Sequence, residues 1–444
     1  MMKKTTLLTT LILVGVVLGA LIGHFFLWDP NAASGPDGWR TFGDFILMRP
    51  LKLIAAPLIF TSVLLGVASL GDPKKLGVLG GATLVYYVST MVLAVGLGVT
   101  LAAVIEPGSG VPQAVKDAAQ VAGEAHLQGR APAQSGGAAL GSAWREILEL
   151  LVPDNFLRSA SDARYLSIIT VALALGVGLL AVREKAKPFL NAVEALHEAL
   201  MALVRWILWV MPVGVLALVA WSVGTMGLGN LAGALAKYVV VVLVGLGIHA
   251  FVTLPLVLRF FGQTKPYKYM WDMRPALFTA FGTASSMATL PVTIETATDH
   301  AGCSKRAAGL VLPLGATINM DGTALYQGVA VIFMFQAFGY DLHFAQYLVI
   351  VLTATLAAVG AAGIPAGGLV TTIIIVSAVN STIAANDPNI PALPLAAGLG
   401  LILSVDRVLD MCRTAVNVWG DAAGARIMTR LAPDTELHRE KAMG

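Results

Sequence analysis

Charge is scarce in this chain. Only 12% of its 444 residues are Asp, Glu, Lys or Arg, while 57% are hydrophobic and mean hydropathy is +0.78. So few charges cannot clothe a soluble globule, and the balance is that of an integral membrane protein. Cysteine is nearly absent as well. Cys303 and Cys412 lie too far apart to suggest a disulfide framework, and both read as small packing residues. The period-two alternation of a membrane β-barrel is missing, which leaves helices as the spanning elements. No P-loop, rotary or metal-hydrolase motif occurs. Without an ATP site, any energy for transport comes from an ion gradient or from downhill flow. No Ser/His or paired-Asp arrangement with hydrolytic logic is evident, so an enzyme is not expected. A net charge of +3 gives no reason to expect nucleic acid as a partner.

What the chain has in abundance is long apolar runs. Leu51–Leu70, Leu84–Ile105, Tyr165–Leu180, Val239–Leu258, Gly309–Phe335 and Phe344–Val359 approach or exceed the roughly 20 residues that cross a bilayer as a helix. The N-terminus, through Trp28, is too long in its apolar part for a signal peptide and reads as a retained first span. Six spans are expected before residue 262: Thr5–Leu27, Phe42–Leu70, Leu76–Ile105, Ala143–Val182, His197–Gly224 and Leu235–Phe261. Residues Gly108 to Ser142, rich in Gly, Ala, Gln and Pro, read as a mobile extracellular loop. Basic residues fall at alternate connections: Lys3 and Lys4; Lys74 and Lys75; Arg183, Lys185 and Lys187; Lys265, Lys268 and Arg274; Arg426, Arg430, Arg439 and Lys441. The positive-inside rule then places both termini in the cytoplasm and gives an even number of crossings.

From Pro275 onward the apolar stretches are interrupted at membrane depth. The interruptions are Thr283–Pro291 (TASSMATLP), Asn319–Thr323 (NMDGT) and Gly360–Gly368 (GAAGIPAGG). Helix breakers at that depth free backbone groups, which is tolerated only where the backbone is buried in protein or lines a cavity. The first and third bracket the second, and each runs from small residues through a proline to a resumed helix, at Val292 and at Leu369. Paired broken segments point to the binding site of a secondary transporter. They read as two helical hairpins entering from opposite faces.

The last apolar helix carries Asp406–Asp421, DRVLDMCRTAVNVWGD, in which Asp410, Arg413, Thr414, Asn417 and Asp421 fall close to one helical stripe. Ionisable residues in a bilayer helix face a protein interior, a partner or a polar cavity. Asp321 and Asp421 have no cation adjacent in sequence. A bound monovalent cation is one way to hold them charged: their carboxylates, the side chains of Asn319 and Asn417, and carbonyls freed at Asn319–Thr323 form an all-oxygen cage suited to Na⁺. Protonated or helix-capping carboxylates are the other reading. Arg413 offers a planar fork of donors that matches a carboxylate, and Asp410, one turn away, suits an ammonium. An Asp410–Arg413 salt bridge is the simpler reading. The two are compatible, with the pair closed when the site is empty and engaged separately when it is loaded. Elsewhere, Glu295, Asp299, His300, Lys305 and Arg306 read as a solvated connection, and His24 and His249 as packed histidines.

These motifs together resemble the glutamate/aspartate transporter family, the dicarboxylate/amino acid:cation symporters that include excitatory amino acid transporters and archaeal aspartate transporters. The resemblance covers nearly the whole chain, including the Tyr86-Tyr87 segment, and is weakest in residues 108–142. It implies an all-α polytopic membrane protein of the elevator type, with eight transmembrane helices, two re-entrant hairpins and a homotrimer. It implies a scaffold in residues 1–70 and 143–227, a transport domain in 71–106 and 228–430, an extracellular loop in 107–142 and a cytoplasmic tail in 431–444. By position, Arg413 takes the substrate side-chain carboxylate and Asp410 the amino group. Thr323 and Thr414 add hydroxyls, and Asn417, Ser286 and the Ile364–Gly368 tip hold the main-chain carboxylate. Gly315, Asn319, Asn417 and Asp421 match one sodium site. Thr317, Met320 and the Ala358, Val359 and Ala361 backbone match a second. Tyr87, Thr90, Asn319 and Asp321 match a third. The chain departs from the pattern at Met91, where relatives carry a hydroxyl at the third site, and at Ala358 and Ala361. Ala284 and Met411 stand where relatives place a further arginine. Gln327 stands where excitatory transporters have a glutamate linked to proton coupling.

The leading reading is a Na⁺-coupled importer of L-aspartate or L-glutamate in an inner or plasma membrane. The alternatives on the same fold are H⁺ as the coupling ion and a C4-dicarboxylate as substrate. Asp410 speaks against a dicarboxylate, because no amine would face it, and Arg413 against small neutral amino acids. A channel or receptor without coupled transport is disfavoured, because polarity is confined to the last third of the chain. Aspartate versus glutamate, ion number, K⁺ counter-transport and any anion conductance stay open at the level of sequence.

Overall fold

The computed structural model describes residues 2–27, 37–70, 73–113, 115–117, 119–120, 124, 152–162, 165–226, 235–359, 367–387 and 389–433. Every regular element among them is helical. Helix α1 (Met2–Ile22) continues through a π-helical turn at Gly23–Leu27. Helix α2 (Asp37–Gly43), a π turn at Asp44–Met48 and α3 (Arg49–Leu70) run on from one another, so the second span begins earlier than hydropathy suggests. Helix α4 (Pro73–Ile105) is the third.

The fourth span corrects the sequence reading, since Ala143–Val182 is not one helix. Helix α5 (Phe156–Ser161) is capped by Asn155, whose side chain accepts from Arg158 N at 2.9 Å. Asp162 ends it, and α6 (Tyr165–Val182) follows. Pro153, Asp154, Asn155 and Asp162 are cap and turn formers, so they divide the run. Residues 143–151 lie outside the described residues. Helix α7 (Lys187–Met226) is longer than expected and bends by 56° between Lys187–Ile207 and Trp209–Trp221. Pro212 accounts for the bend, because it lacks an N–H for the preceding turn and its ring crowds the carbonyl there. Helix α8 (Ala236–Ile248), a π turn at His249–Thr253 and α9 (Leu254–Phe261) form the sixth span, and α10 (Pro266–Asp272) follows.

The first hairpin is α11 (Arg274–Thr283) and α12 (Ser286–Glu295). Its break falls at Ala284-Ser285 and not at Pro291. Ala284 turns the chain in the left-handed region (φ +50°), and the Ser285 hydroxyl caps α12 by accepting from Ala288 N at 3.1 Å. Pro291 is carried inside α12, so the helix resumes before Val292. The run interrupted at Asn319–Thr323 folds as α13 (Lys305–Ile318) and α14 (Asp321–Ala337), broken at Asn319-Met320. The second hairpin is α15 (Phe344–Val359) and α16 (Gly367–Asn386), which resumes two residues before the expected Leu369. Its tip, with Ala361 and Ile364, lies outside the described residues. Helix α17 (Leu395–Met428) closes the bundle. Among the described residues three helices are long and apolar enough to cross a membrane, Thr10–Leu27, Gly77–Ile105 and Ala236–Phe261, or four with the bent α7 pair taken as one.

Two groups of helices emerge from the packing. In the first, α1 lies along α7, and α3 packs on α6 and α7. Gly15 and Gly19 on α1 and Gly23 at the start of its π turn recur every fourth residue. A Cβ at each would lie 2.6 Å from the carbonyl oxygens of Pro212, Leu216 and Ala220 respectively, so these small residues let the two backbones approach. In the second, α11, α13 and α14 surround α17, and α14 is flanked by α4, α8, α15 and α16. The groups meet where α12 and α13 touch α3, where α11 touches α1 and α7, and where α12 touches α7. One part of residues 108–142 is not a free loop. Val111 and Ala119 are buried, Gly108 N donates to Gln336 Oε1 at 3.2 Å, and Gly400 lets the Ala119 backbone close on α17.

A side chain at Gly19 has no room. Gly19→Leu is expected to cost roughly 1–3 kcal/mol through overpacking and to lower the thermal unfolding midpoint in detergent. An unchanged midpoint would mean that α1 and α7 do not approach as closely as their glycines allow.

Candidate functional site

The polar face of α17 is buried throughout. Asp406, Asp410, Arg413, Thr414, Asn417 and Asp421 are each at most 4% exposed. Arg413 sits between two carboxylates. Its Nη1 donates to Asp406 Oδ1 at 3.0 Å, its Nε donates to Asp410 Oδ1 at 3.0 Å, and its Nη2 lies 2.9 Å from the same oxygen. The guanidinium rests on the Tyr326 ring, with Cζ 4.2 Å from the centroid, a cation–π contact that desolvation strengthens. Asp410 and Arg413 are therefore paired, as the spacing of one turn predicts. Asp406 is a partner that sequence reasoning missed. The signal was its position two turns before Arg413 on the same face. Thr414 donates its hydroxyl to the Asp410 carbonyl at 2.7 Å.

The second hairpin reaches this cluster at Gly368. A Cβ there would lie 3.1 Å from Thr323 Cγ2 and 3.2 Å from Arg413 Nη2. The Gly368 carbonyl accepts from Gln327 Nε2 at 3.0 Å, and the same amide also donates to the Thr371 hydroxyl. Gln327 thus ties α14 to α16. Ser286 is buried at the start of α12, next to the capping Ser285.

The break between α13 and α14 needs partners for its backbone, and Asn417 supplies them. Its Oδ1 accepts from Gly322 N at 2.7 Å and Thr323 N at 3.2 Å, while its Nδ2 donates to the Thr323 hydroxyl at 3.1 Å. The Met320 sulfur lies 3.4 Å from the same nitrogen. Gly322 is required here, because a Cβ would strike the Arg413 carbonyl.

A second polar cluster lies one turn further along α17. Asn319 Nδ2 donates to Asp421 Oδ1 at 3.0 Å, and Thr90 Oγ1 is 3.4 Å from Asn319 Oδ1. Gly315 leaves a space that a Cβ would fill, against the Asp421 carboxylate and 2.7 Å from the Tyr87 hydroxyl. Tyr87 itself donates to the Val311 carbonyl at 2.6 Å, and Thr317 to the Leu314 carbonyl at 2.8 Å. Asp321 is fully buried, and its Oδ1 has no hydrogen-bond partner among the described residues. Met320 and Ala358 are buried, while the Val359 side chain and Ala361 lie outside the described residues. The donor set is all oxygen: carboxylates, a carboxamide, hydroxyls and carbonyls. An orphaned buried carboxylate oxygen and a glycine-lined space beside another carboxylate fit a bound hard monovalent cation.

Two readings of single residues change. His249 is not merely packed, since its Nε2 is 3.2 Å from Asp321 Oδ2 with both side chains fully buried. The contact joins residues 72 apart and leaves no trace in local sequence. Glu295 is not solvated but 5% exposed, because α12 packs against α3 and α7. Cys303 and Cys412 are unpaired thiols, as expected. His24 packs edge-on to Phe25 at 4.7 Å.

Residues 8–431 match the sodium:dicarboxylate symporter family. The chain belongs to that family. Among its relatives, human neutral amino acid transporter B(0) is 34% identical over 98% of this chain and 82% of its own. Excitatory amino acid transporter 1 of Ambystoma tigrinum is 33% identical over 94% and 82%. An excitatory amino acid transporter of Caenorhabditis elegans is 34% identical over 96% and 88%. Membership of the sodium:dicarboxylate symporter family makes this a multi-pass membrane transporter from a sodium-coupled amino acid transport family rather than from a family of enzymes.

The Asp406 contact yields a prediction. Asp406→Ala strips a buried guanidinium of one of its two charged partners, which costs roughly 3–5 kcal/mol. The thermal midpoint should fall clearly, and Asp406→Asn, which still accepts from Nη1, should fall less. Equal midpoints for wild type and Asp406→Ala would remove Asp406 from the account.

Proposed function

We propose that this chain imports acidic amino acids, L-aspartate or L-glutamate, with Na⁺ as the coupling ion. The observation that carries the reading is the buried Asp406–Arg413–Asp410 arrangement. The empty site keeps Arg413 engaged by Asp410 as well as by Asp406. An acidic amino acid brings the same two charges in exchange. Its ammonium takes Asp410, and its side-chain carboxylate takes the donors that Asp410 releases, while Asp406 keeps the guanidinium in place. Thr323, Thr414, Ser286 and the Ile364–Gly368 tip contribute the remaining contacts. A neutral amino acid offers nothing to Arg413, and a dicarboxylate nothing to Asp410. The reading therefore differs from what the name of the human relative says of that protein.

Charge balance supports a coupling cation, and the family supports sodium as that cation. Four buried carboxylates, Asp321, Asp406, Asp410 and Asp421, outnumber the single guanidinium, and an acidic substrate adds another negative charge. Bound cations offset this load before the site crosses low dielectric. Asp421, Asn319 and Gly315 form one position, and Asp321, Asn319, Thr90 and Tyr87 another. The Thr317, Met320 and Ala358–Ala361 backbone forms a third. Each ion bound with substrate makes the other's binding more favourable, and the coupling is reciprocal.

The movement is of the elevator type. The helices around α17, with both hairpins, carry the site past the group formed by α1, α3, α6 and α7, sliding where α12 and α13 meet α3. The protein assembles as a homotrimer with both termini in the cytoplasm, in keeping with the distribution of Lys and Arg.

The test is uptake into proteoliposomes with labelled aspartate, glutamate, succinate and alanine under an imposed Na⁺ gradient. Aspartate or glutamate should accumulate, and succinate and alanine should not. Arg413→Cys should abolish acidic uptake, because losing one partner of a buried charge pair costs roughly 2–5 kcal/mol, about 30-fold to several thousand-fold in affinity. Unchanged aspartate uptake in that variant, or succinate carried as well as aspartate, would contradict the assignment.

A further inference from the structure

His249 opens the π-helical turn of the sixth span, His249–Thr253. Such one-turn bulges re-aim the side chains they carry and recur at functional sites. The turn is held from the other side, because the Trp419 indole donates to the Ala250 carbonyl at 3.0 Å. His249 Nε2 thereby comes to 3.2 Å from Asp321 Oδ2, with both side chains fully buried. The same oxygen is confined on its other flank by Gly420, where a Cβ would lie only 2.7 Å away. Asp321 thus has one oxygen fixed between an imidazole and a helix backbone. Its other oxygen, Oδ1, has no hydrogen-bond partner, and neither has His249 Nδ1, among the described residues.

A carboxylate turns freely about its last torsion. One oxygen anchored and one open is a different object from a freely rotating carboxylate, because it offers a cation a single, pre-aimed ligand. We propose that His249 is a positioning residue for cation binding at Asp321: the Nε2–H tautomer donates to Oδ2 and presents Oδ1 to the ion beside Asn319 and Thr90. This rests on the reading that Asp321 holds a cation. It extends that reading to a side chain from another helix that touches neither ion nor substrate. Groups that orient a metal ligand commonly govern 10–100-fold of the metal affinity.

Binding of Na⁺ to the purified protein without substrate, followed as the rise of the thermal midpoint with Na⁺ against a choline background, reads this directly. His249→Leu should raise the Na⁺ concentration needed for half of that rise by roughly 10-fold or more. His249→Gln, whose amide can donate to Oδ2, should recover most of the loss. In an Asp321→Asn background the leucine substitution should add nothing further, because the two residues act as a unit. If His249→Leu does not accumulate as folded protein, His249→Met, similar in size and without a donor, carries the same expectation. An unshifted Na⁺ dependence in the donor-less variant, a glutamine variant as impaired as the leucine one, or full additivity with Asp321→Asn would each overturn the proposal. A wild-type midpoint indifferent to Na⁺ would instead overturn the sodium reading on which it rests.

Discussion

The rest of the structure depends on the cost of breaking a helix inside a bilayer. Where α13 stops at Ile318 and α14 starts at Asp321, backbone groups lose their intrahelical partners, and hydrocarbon offers none in return. Asn417 meets the N–H groups of Gly322 and Thr323 with one carboxamide oxygen. With the Asn319–Asp421 hydrogen bond, that side chain fastens α13 and α14 to α17. Arg413 then lies one turn before Asn417 and Asp421 one turn after it. The guanidinium cluster and the cation cluster are therefore two ends of one rigid arrangement, joined through the break.

Charge makes the same point from another side. Carboxylates at this depth persist only when paired, protonated or bound to a cation. Asp406 and Asp410 are paired with Arg413, and Asp421 accepts from Asn319. Asp321 keeps one oxygen for His249 and one without a partner. The carboxylates near Arg413 are thus paired, whereas Asp321 and Asp421 lack a cationic partner among the described residues, and an ion would supply one. Membership of the sodium:dicarboxylate symporter family is in keeping with that ion being sodium.

Much of this was legible in the sequence because it is local. The break at Asn319-Met320 announces itself by Asn and Gly in an apolar run, and the stripe of α17 by helical spacing. Other features were not, for physical reasons. Pro291 looked like a helix breaker, yet the chain turns at Ala284, where an alanine takes the left-handed conformation that glycine usually supplies. The fourth span looked continuous because its apolar content outweighed Pro153, Asn155 and Asp162, which form caps and turns. Asp406 becomes a partner only once its two-turn reach to Arg413 is visible. His249 meets Asp321 across two spans, which no window on the sequence captures. Ala361 and Ile364 lie outside the described residues, so their roles rest on the family pattern alone.

The most direct test of a cation completing the buried carboxylate cluster is equilibrium binding of aspartate to the purified protein, measured across Na⁺ concentrations at two fixed pH values. Apparent affinity should rise with more than the first power of Na⁺ concentration, with the same steep dependence at both pH values. Affinity that ignores Na⁺ and follows pH would contradict the account and make the chain a proton-coupled carrier on the same fold.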